Sequence, residues 1–342
     1  MRRVVIAFGI FVLFAGALVP LRADSAPPQG KTFTIGLVQM TDVVFYDDAI
    51  IAMRKELERL GWNDRKQLKI LRRVALGQTK GIWDKLELLG ALHGYIDEFI
   101  DRKVDLIITV GTPATTWGAE RAHSAGIPTM FMAVSMPGVL DFKDEGWLTG
   151  STTFVHPGRI IRLISNTIPD VKRVGMILSS DPNARGLYEL LEPVAKEVGI
   201  TLMVYEVDKN EDAKAAAAYF LANTPDAFLV IPDTWAGRDD KINSKVMIEQ
   251  LFRKTKLPII GAFPEATDVF PHDVALSVGV PFASTGTAGA VLVDKILNGT
   301  PPGSIPIAAP AKPEIHVRKA AALHTGFPLT PALLKIADEV SE

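Results

Sequence analysis

Short β-branched, apolar runs alternate along the chain with longer segments in which apolar residues recur every three to four positions. The short runs predict strands and the periodic segments predict amphipathic helices. Their regular alternation favours an α/β fold in which helices connect parallel strands. The predicted strands are 33–38, 68–74, 104–110, 128–134, 173–178, 201–206, 227–231, 257–261 and 274–280. The predicted helices begin near 47 and 82 and after 114, and then cover 159–167, 187–198, 212–223, 239–254 and 284–297.

The chain of 342 residues is long enough for two domains, since a domain typically has about 100–200 residues. A turn-rich stretch at 146–154 indicates a crossing between two α/β halves, and the strand at 274–280 indicates a crossing back. We therefore expect two Rossmann-like lobes with parallel sheets, joined by a multi-strand hinge. The predicted first lobe is 31–152 plus about 275–305, and the second is 153–274 plus about 306–342. Ligands of open parallel sheets bind beyond the carboxyl ends of the strands, which places the expected site in the loops that follow them.

The N-terminus has the pattern of a secretory signal peptide. Arg2 and Arg3 precede an apolar run at 4–19, and small residues follow, including Ala23. This order predicts a signal peptide over 1–23 with cleavage after Ala23. A retained anchor is the alternative, but the run is shorter than the ~20 residues of a spanning helix. The sequence has no cysteine, so we expect a periplasmic protein with neither a lipid anchor nor disulfides.

Composition and motifs narrow the classes of function. The formal net charge is −2, whereas a nucleic-acid-binding protein usually has a basic surplus. The six histidines do not pair at metal-ligand spacing, so neither a metal nor a cofactor is expected. The sequence contains no GxSxG or HExxH motif, and we predict that the protein is not an enzyme. An exported hydrolase stays open as an alternative, since a serine and a histidine distant in sequence can meet in space.

Several motifs occur in an order typical of one family. Ile35-Gly36-Leu37-Val38-Gln39 opens the first lobe, and Asp105 to Val110 leads into Gly111-Thr112-Pro113-Ala114. Ala133-Val134-Ser135, Ile231-Pro232-Asp233-Thr234 and Ile296-Leu297-Asn298-Gly299-Thr300-Pro301 follow in the same order. With these motifs the chain resembles the solute-binding proteins of ABC importers, in the group that includes tryptophan- and tyrosine-binding receptors with the type I periplasmic fold.

The resemblance implies a function and its partners. The protein would be a monomeric periplasmic receptor that closes two lobes on a small ligand, an amino acid or a similar zwitterion. It would then dock on the permease and ATPase of an ABC importer. A sensory role, in which the closed form engages a signalling protein, is the alternative.

Two loops of the first lobe provide candidate ligand-binding residues. Gly111, Thr112, Pro113 and Ala114 follow a buried strand and precede a helix, where backbone N–H groups and the Thr112 hydroxyl suit a carboxylate. Thr112 as a plain helix cap is the other interpretation. Ser135, after the next strand, would add a second hydroxyl on the same rim, unless it is an ordinary turn serine.

The second lobe provides candidates at two strand ends. Asp233 and Thr234 follow an apolar strand, and a carboxylate there suits a ligand ammonium, although Asp233 as a helix cap is the alternative. Ser180 and Asn183 follow another strand and suit polar ligand atoms, or they belong to a capped turn. The remaining candidates are Gln39, Tyr46 and Phe263, which lie at other strand ends, although an aromatic side chain there is often part of the core.

Overall fold

The computed structural model describes residues 30–62, 67–76, 85–135, 146–236 and 244–342. Two sheets organise these residues. The first sheet contains β1 (Phe33–Met40), β2 (Leu68–Ala75), β3 (Leu106–Val110), β4 (Thr129–Val134) and β5 (Thr149–Thr152). Its strand order is β2-β1-β3-β4-β5, with every pair parallel.

The second sheet has seven strands. They are β6 (Arg173–Leu178), β7 (Thr201–Glu206), β8 (Ala227–Val230), β9 (Ile259–Gly261), β10 (Leu276–Gly279), β11 (Glu314–Arg318) and β12 (Glu339–Ser341). Their order is β12-β11-β10-β9-β8-β6-β7. All neighbours are parallel except β10 and β11, which are antiparallel. The predicted α/β class with two mainly parallel sheets is confirmed.

Helices connect most of the strands. They are α1 (Val44–Arg59), α2 (Lys85–Asp101), α3 (Thr112–Ser124), α4 (Pro157–Thr167), α5 (Pro182–Glu197), α6 (Asn210–Ala222), α7 (Ser244–Thr255), α8 (Ala266–Val269), α9 (Phe282–Leu297), α10 (Lys319–Thr325) and α11 (Pro331–Ile336). Single 3-10 turns occur at Thr234–Ala236 and Pro302–Ser304. Across the described ranges, no helix is both long and apolar enough to cross a membrane.

Alternation along β1 explains how the first sheet is covered on both faces. Ile35 and Leu37 belong to the core cluster that contains the buried face of α1, whereas Val38 belongs to the cluster of α2. Successive side chains of a strand point to opposite faces. The nearly continuous apolar strands therefore lie between two helical layers, as expected of a parallel sheet.

Three predicted features differ in detail from the observed fold. The stretch 146–154, expected to be a turn-rich crossing, includes β5 at the edge of the first sheet. The helix expected at 187–198 begins earlier, at Pro182, and includes Pro193. Pro182 suits the first turn because its fixed φ matches the helix and its missing N–H needs no partner there. The C-terminal segment, predicted to contain one strand and two short helices over 315–340, holds two strands, since β12 pairs in parallel with β11.

The chain passes between the sheets near Pro281. β10 lies in the second sheet, but α9, which follows it, packs along α1 and against β4 and β5. A Cβ at Gly286 would overlap the backbone of Ala49, so glycine allows α9 to approach α1 closely. Ala308 still bridges to Ser151 of the first sheet. Besides the passage that follows β5, the chain thus crosses near 281 and after 308, compared with the boundaries of about 275 and 306 expected from the sequence. The predicted signal peptide at 1–23 lies outside the described residues.

Candidate functional site

A narrow cavity lies where the carboxyl ends of the two sheets face each other. Strands β3 and β4 lead into it from one side, and β6 and β8 from the other. The described residues that line it are Val43, Phe45, Tyr46, Thr112, Pro113, Ala133, Ser135, Asp181, Asn183, Pro232, Asp233, Thr234 and Phe282. Loops from both lobes therefore form one site. Each set of loops lies at one edge of its sheet because the carboxyl ends of parallel strands meet there.

The two rims touch across this cavity. The Thr112 hydroxyl, on the first turn of α3, donates to Asn183 Oδ1, on the first turn of α5, at 3.2 Å. Asn183 Nδ2 donates to the Pro232 carbonyl at 3.1 Å, which fixes the orientation of the amide. The enclosed volume is only about 10 Å³, the room of about one water molecule. The structure is thus a closed form, and a solute reaches the site only when the rims separate.

Asp233 is buried and accepts hydrogen bonds from two neighbouring residues. Its Oδ2 accepts from the Ser179 backbone N–H at 2.8 Å, and its Oδ1 accepts from the Ser179 hydroxyl at 2.5 Å. Oδ1 also accepts from the Thr234 backbone N–H and hydroxyl, at 2.5 and 3.1 Å. Burial raises the pKa of this carboxyl, and the four hydrogen bonds counteract that rise. Asp233 therefore ties the end of β6 to the end of β8, in addition to lining the cavity.

A second buried carboxylate, Asp181, lines the same cavity and was missed in the sequence analysis. It caps α5, because its Oδ1 accepts from the Ala184 backbone N–H at 2.9 Å. Burial, and then the charge of Asp233, raise its pKa well above the ordinary value. Its position between Ser180 and Asn183 was visible in the sequence, but an N-terminal cap gives no sign of such burial.

An aromatic cluster forms the first-lobe wall. The rings of Phe45 and Phe282 have centroids 4.6 Å apart, and Tyr46 lies 5.2 Å from Phe45 and 6.0 Å from Phe282. A Cβ at Gly111, whose φ is +82°, would overlap the Tyr46 hydroxyl. Burial raises the pKa of Tyr46, and the nearby charges of Asp181 and Asp233 raise it further.

A second, apolar compartment adjoins the first. We call the cavity described above the polar compartment. The described residues that line the apolar one include Phe263, Phe154, Ile160, Leu187 and Val280, and it shares Ser135, Pro232 and Phe282 with the polar compartment. Its enclosed volume is also small, about 20 Å³. The cleft therefore combines an acidic end and an apolar end.

The structure brings together eight of the twelve candidate residues. The polar compartment is lined by seven of them, Tyr46, Thr112, Pro113, Ser135, Asn183, Asp233 and Thr234, and the apolar one is lined by Phe263.

The other four lie outside the described lining, each for a local reason. The Gln39 amide donates to the Thr41 carbonyl and accepts from Arg72. Gly111 packs against Tyr46, and Ala114 is buried in the core beneath α3. Ser180 is half-buried, and its backbone N–H donates to Asp208.

Comparison with known proteins identifies the family. A sequence profile described as ABC transporter substrate binding protein matches residues 52–341. The chain belongs to this family. No curated protein matches the chain by sequence.

Several solved structures have the same fold. An ABC domain in complex with L-Trp from Streptococcus pneumonia is 20% identical, with a TM-score of 0.76 over 91% of this chain and 100% of that one. A conserved domain protein from Vibrio cholerae is 23% identical, with a TM-score of 0.75 over the same shares. A ligand-free, open substrate-binding protein from Clostridium difficile is 19% identical, with a TM-score of 0.62 over 91% and 99%. The predicted resemblance and the type I periplasmic fold are confirmed.

Proposed function

We propose that this protein is the periplasmic receptor of an ABC importer and that its two lobes close on an amino acid or a similar small zwitterion. The observation that carries the proposal is the cavity lined from both sheets and bridged by Thr112 and Asn183. Residues that meet only when the lobes close are suited to report whether a solute is enclosed. The permease and ATPase of the importer would then engage the monomeric closed form, and the receptor itself would perform no chemical step.

A screen of thermal unfolding tests this proposal. The full-length protein would be exposed to amino acids, amines, sugars and small organic acids, each at millimolar concentration. A compound that binds only the folded state raises the unfolding midpoint by mass action, so we expect at least one amino-acid or amine hit. Small-angle scattering of the ligand-free protein and of each hit then follows lobe closure. A panel without any hit, or chemical conversion of a hit by the protein, would contradict the proposal.

Export is part of the same proposal. The Arg-Arg start, the apolar run and the small residues up to Ala23 favour removal of residues 1–23 by signal peptidase. Expression in a Gram-negative host is expected to yield a periplasmic protein whose intact mass corresponds to a chain beginning at Asp24. A membrane-bound product with the mass of the full chain would favour a retained anchor instead.

A further inference from the structure

The two compartments of the cleft differ in chemistry. The polar one contains two buried carboxyl groups, Asp181 and Asp233, each only 2% exposed. The apolar one is lined mainly by aromatic and aliphatic side chains such as Phe263 and Leu187. Since they share Phe282 and Ser135, a single ligand of modest size reaches both. This division suits a molecule with a polar head and an apolar side chain.

The charge of the polar compartment is not balanced by the residues that the structure describes there. Among the described lining residues there is no lysine, arginine or histidine. Asp181 faces Asp233, Asp208 and Tyr46, each of which carries or can gain negative charge. Two buried carboxylates in one cavity repel each other, and one of them therefore tends to keep its proton. The hydrogen bonds that Asp233 accepts favour its ionised form, whereas burial and the charge of Asp233 raise the pKa of Asp181.

Tyr46 gives a second, independent indication of a ligand. Its side chain lines the polar compartment and is 9% exposed, but its hydroxyl makes no hydrogen bond to any described residue. A hydroxyl that lines an enclosed cavity and bonds no described residue is available to a ligand. A ligand donor placed between Tyr46 and the two carboxyl groups would satisfy it.

The helix end expected to hold a ligand carboxylate is less available than its sequence suggests. Pro113 has no N–H, so the donors at this end are the backbone N–H groups of Thr112 and Ala114, for which no acceptor is found among the described residues. The Thr112 hydroxyl donates to Asn183. A ligand carboxylate here would share the cavity with Asp181 and Asp233 and be repelled by them, so the charge of the compartment favours a cation.

We propose that the cleft selects primary amines with an apolar side chain and that a carboxylate on the ligand adds little to binding. This inference rests on the proposed receptor function and narrows its ligand class. A primary ammonium has three hydrogens to donate, and Asp181, Asp233 and Tyr46 provide three acceptors for them. The side chain of the ligand occupies the compartment of Phe263 and Phe282. The positive charge of the ammonium replaces the proton held by the carboxyl pair, so binding releases a proton and tightens as the pH rises.

Titration calorimetry with matched probes tests the inference on the full-length protein. The probes form two triads that share a side chain: tryptamine, L-tryptophan and indolepropionate, and isoamylamine, L-leucine and isocaproate. We expect at least one amine to bind as tightly as its amino acid or more tightly, with no measurable binding of either acid. Binding of an acid, or an amino acid that binds more than tenfold tighter than its amine, would overturn the inference. Failure of all six probes would also overturn it, whereas the receptor proposal is decided by the wider screen.

Three variants locate the ammonium site. Asp181→Asn keeps an oxygen for the Ala184 N–H and removes the charge, and we expect amine binding to weaken about tenfold or more and to lose its proton release. Tyr46→Phe removes only the unpaired hydroxyl, so we expect weaker binding without a lower unfolding midpoint. Asp208→Asn is the matched control, because Asp208 bonds the Ser180 N–H outside the described lining of the cavity. An Asp181→Asn affinity within twofold of that of Asp208→Asn would rule out the assigned site.

Discussion

Asp233→Ala is expected to lower the free energy of unfolding by about 3 kcal/mol and to abolish ligand binding. The substitution removes the acceptor of two buried backbone N–H groups, those of Ser179 and Thr234. A buried donor left without a partner costs about 1–3 kcal/mol. Relief of the repulsion between Asp233 and Asp181 offsets part of this loss. Urea unfolding followed by circular dichroism measures the change.

A control variant distinguishes the loss of the hydrogen bonds that link β6 to β8 from the general effect of removing a carboxylate. Asp208→Ala removes a carboxylate from the same side of the second sheet, where Asp208 accepts from a single backbone N–H, that of Ser180, at 2.8 Å. Its expected loss is about 1 kcal/mol. If the two variants unfold at the same urea concentration, the four bonds to Asp233 do not hold β6 and β8 together as described.

Glu265→Gln is expected to remove much of the loss of stability between pH 4.5 and pH 7. Glu265 Oε1 accepts from the Phe282 backbone N–H, at the passage from β10 to α9, at 2.6 Å, whereas Oε2 is buried without a hydrogen-bond partner. Burial raises the pKa of this carboxyl from 4.5 to about 7, and Asp48 adds to the rise while His316 opposes it. Glutamine retains an oxygen for Phe282 and carries no charge.

The direction of the pH effect follows from the order of the two pKa values. Below pH 4.5 the carboxyl is protonated in both the folded and the unfolded chain. Between 4.5 and 7 the unfolded chain releases its proton and the folded chain retains it, so stability falls as the pH rises. The full loss is about 3 kcal/mol, since one pKa unit corresponds to about 1.4 kcal/mol. Wild-type protein and variant are thus expected to differ most near pH 8, with the variant more stable.

Unfolding midpoints measured from pH 4 to pH 8 test this expectation. Glu197→Gln, at an exposed site near the end of α5, changes the net charge equally and serves as the control. Parallel pH profiles for wild type and Glu265→Gln would show that this carboxyl titrates alike in both states. Glu265 would then be ionised at neutral pH in the folded protein, and burial would not raise its pKa as described.

The order of helices and strands was predictable from the sequence because it depends on local periodicity. The apolar run of β3 is long enough for a strand covered on both faces, and the spacing of Ile50, Met53 and Leu57 matches the buried side of α1. β5 was harder to predict, because Thr149–Thr152 has few apolar residues. It forms where β4 provides a parallel edge to pair with.

The sequence by itself also determined which loops meet, since every carboxyl end of a parallel strand lies on the same edge of its sheet. Most of the candidate residues at the ends of β3, β4, β6 and β8 therefore line one cleft. Only the tertiary structure decided what each side chain does there. Asp233 and Asp181 are buried in one cavity, and Tyr46 lines it with a hydroxyl that bonds no described residue. These properties depend on burial and on distances between residues remote in the chain, which local sequence patterns do not encode.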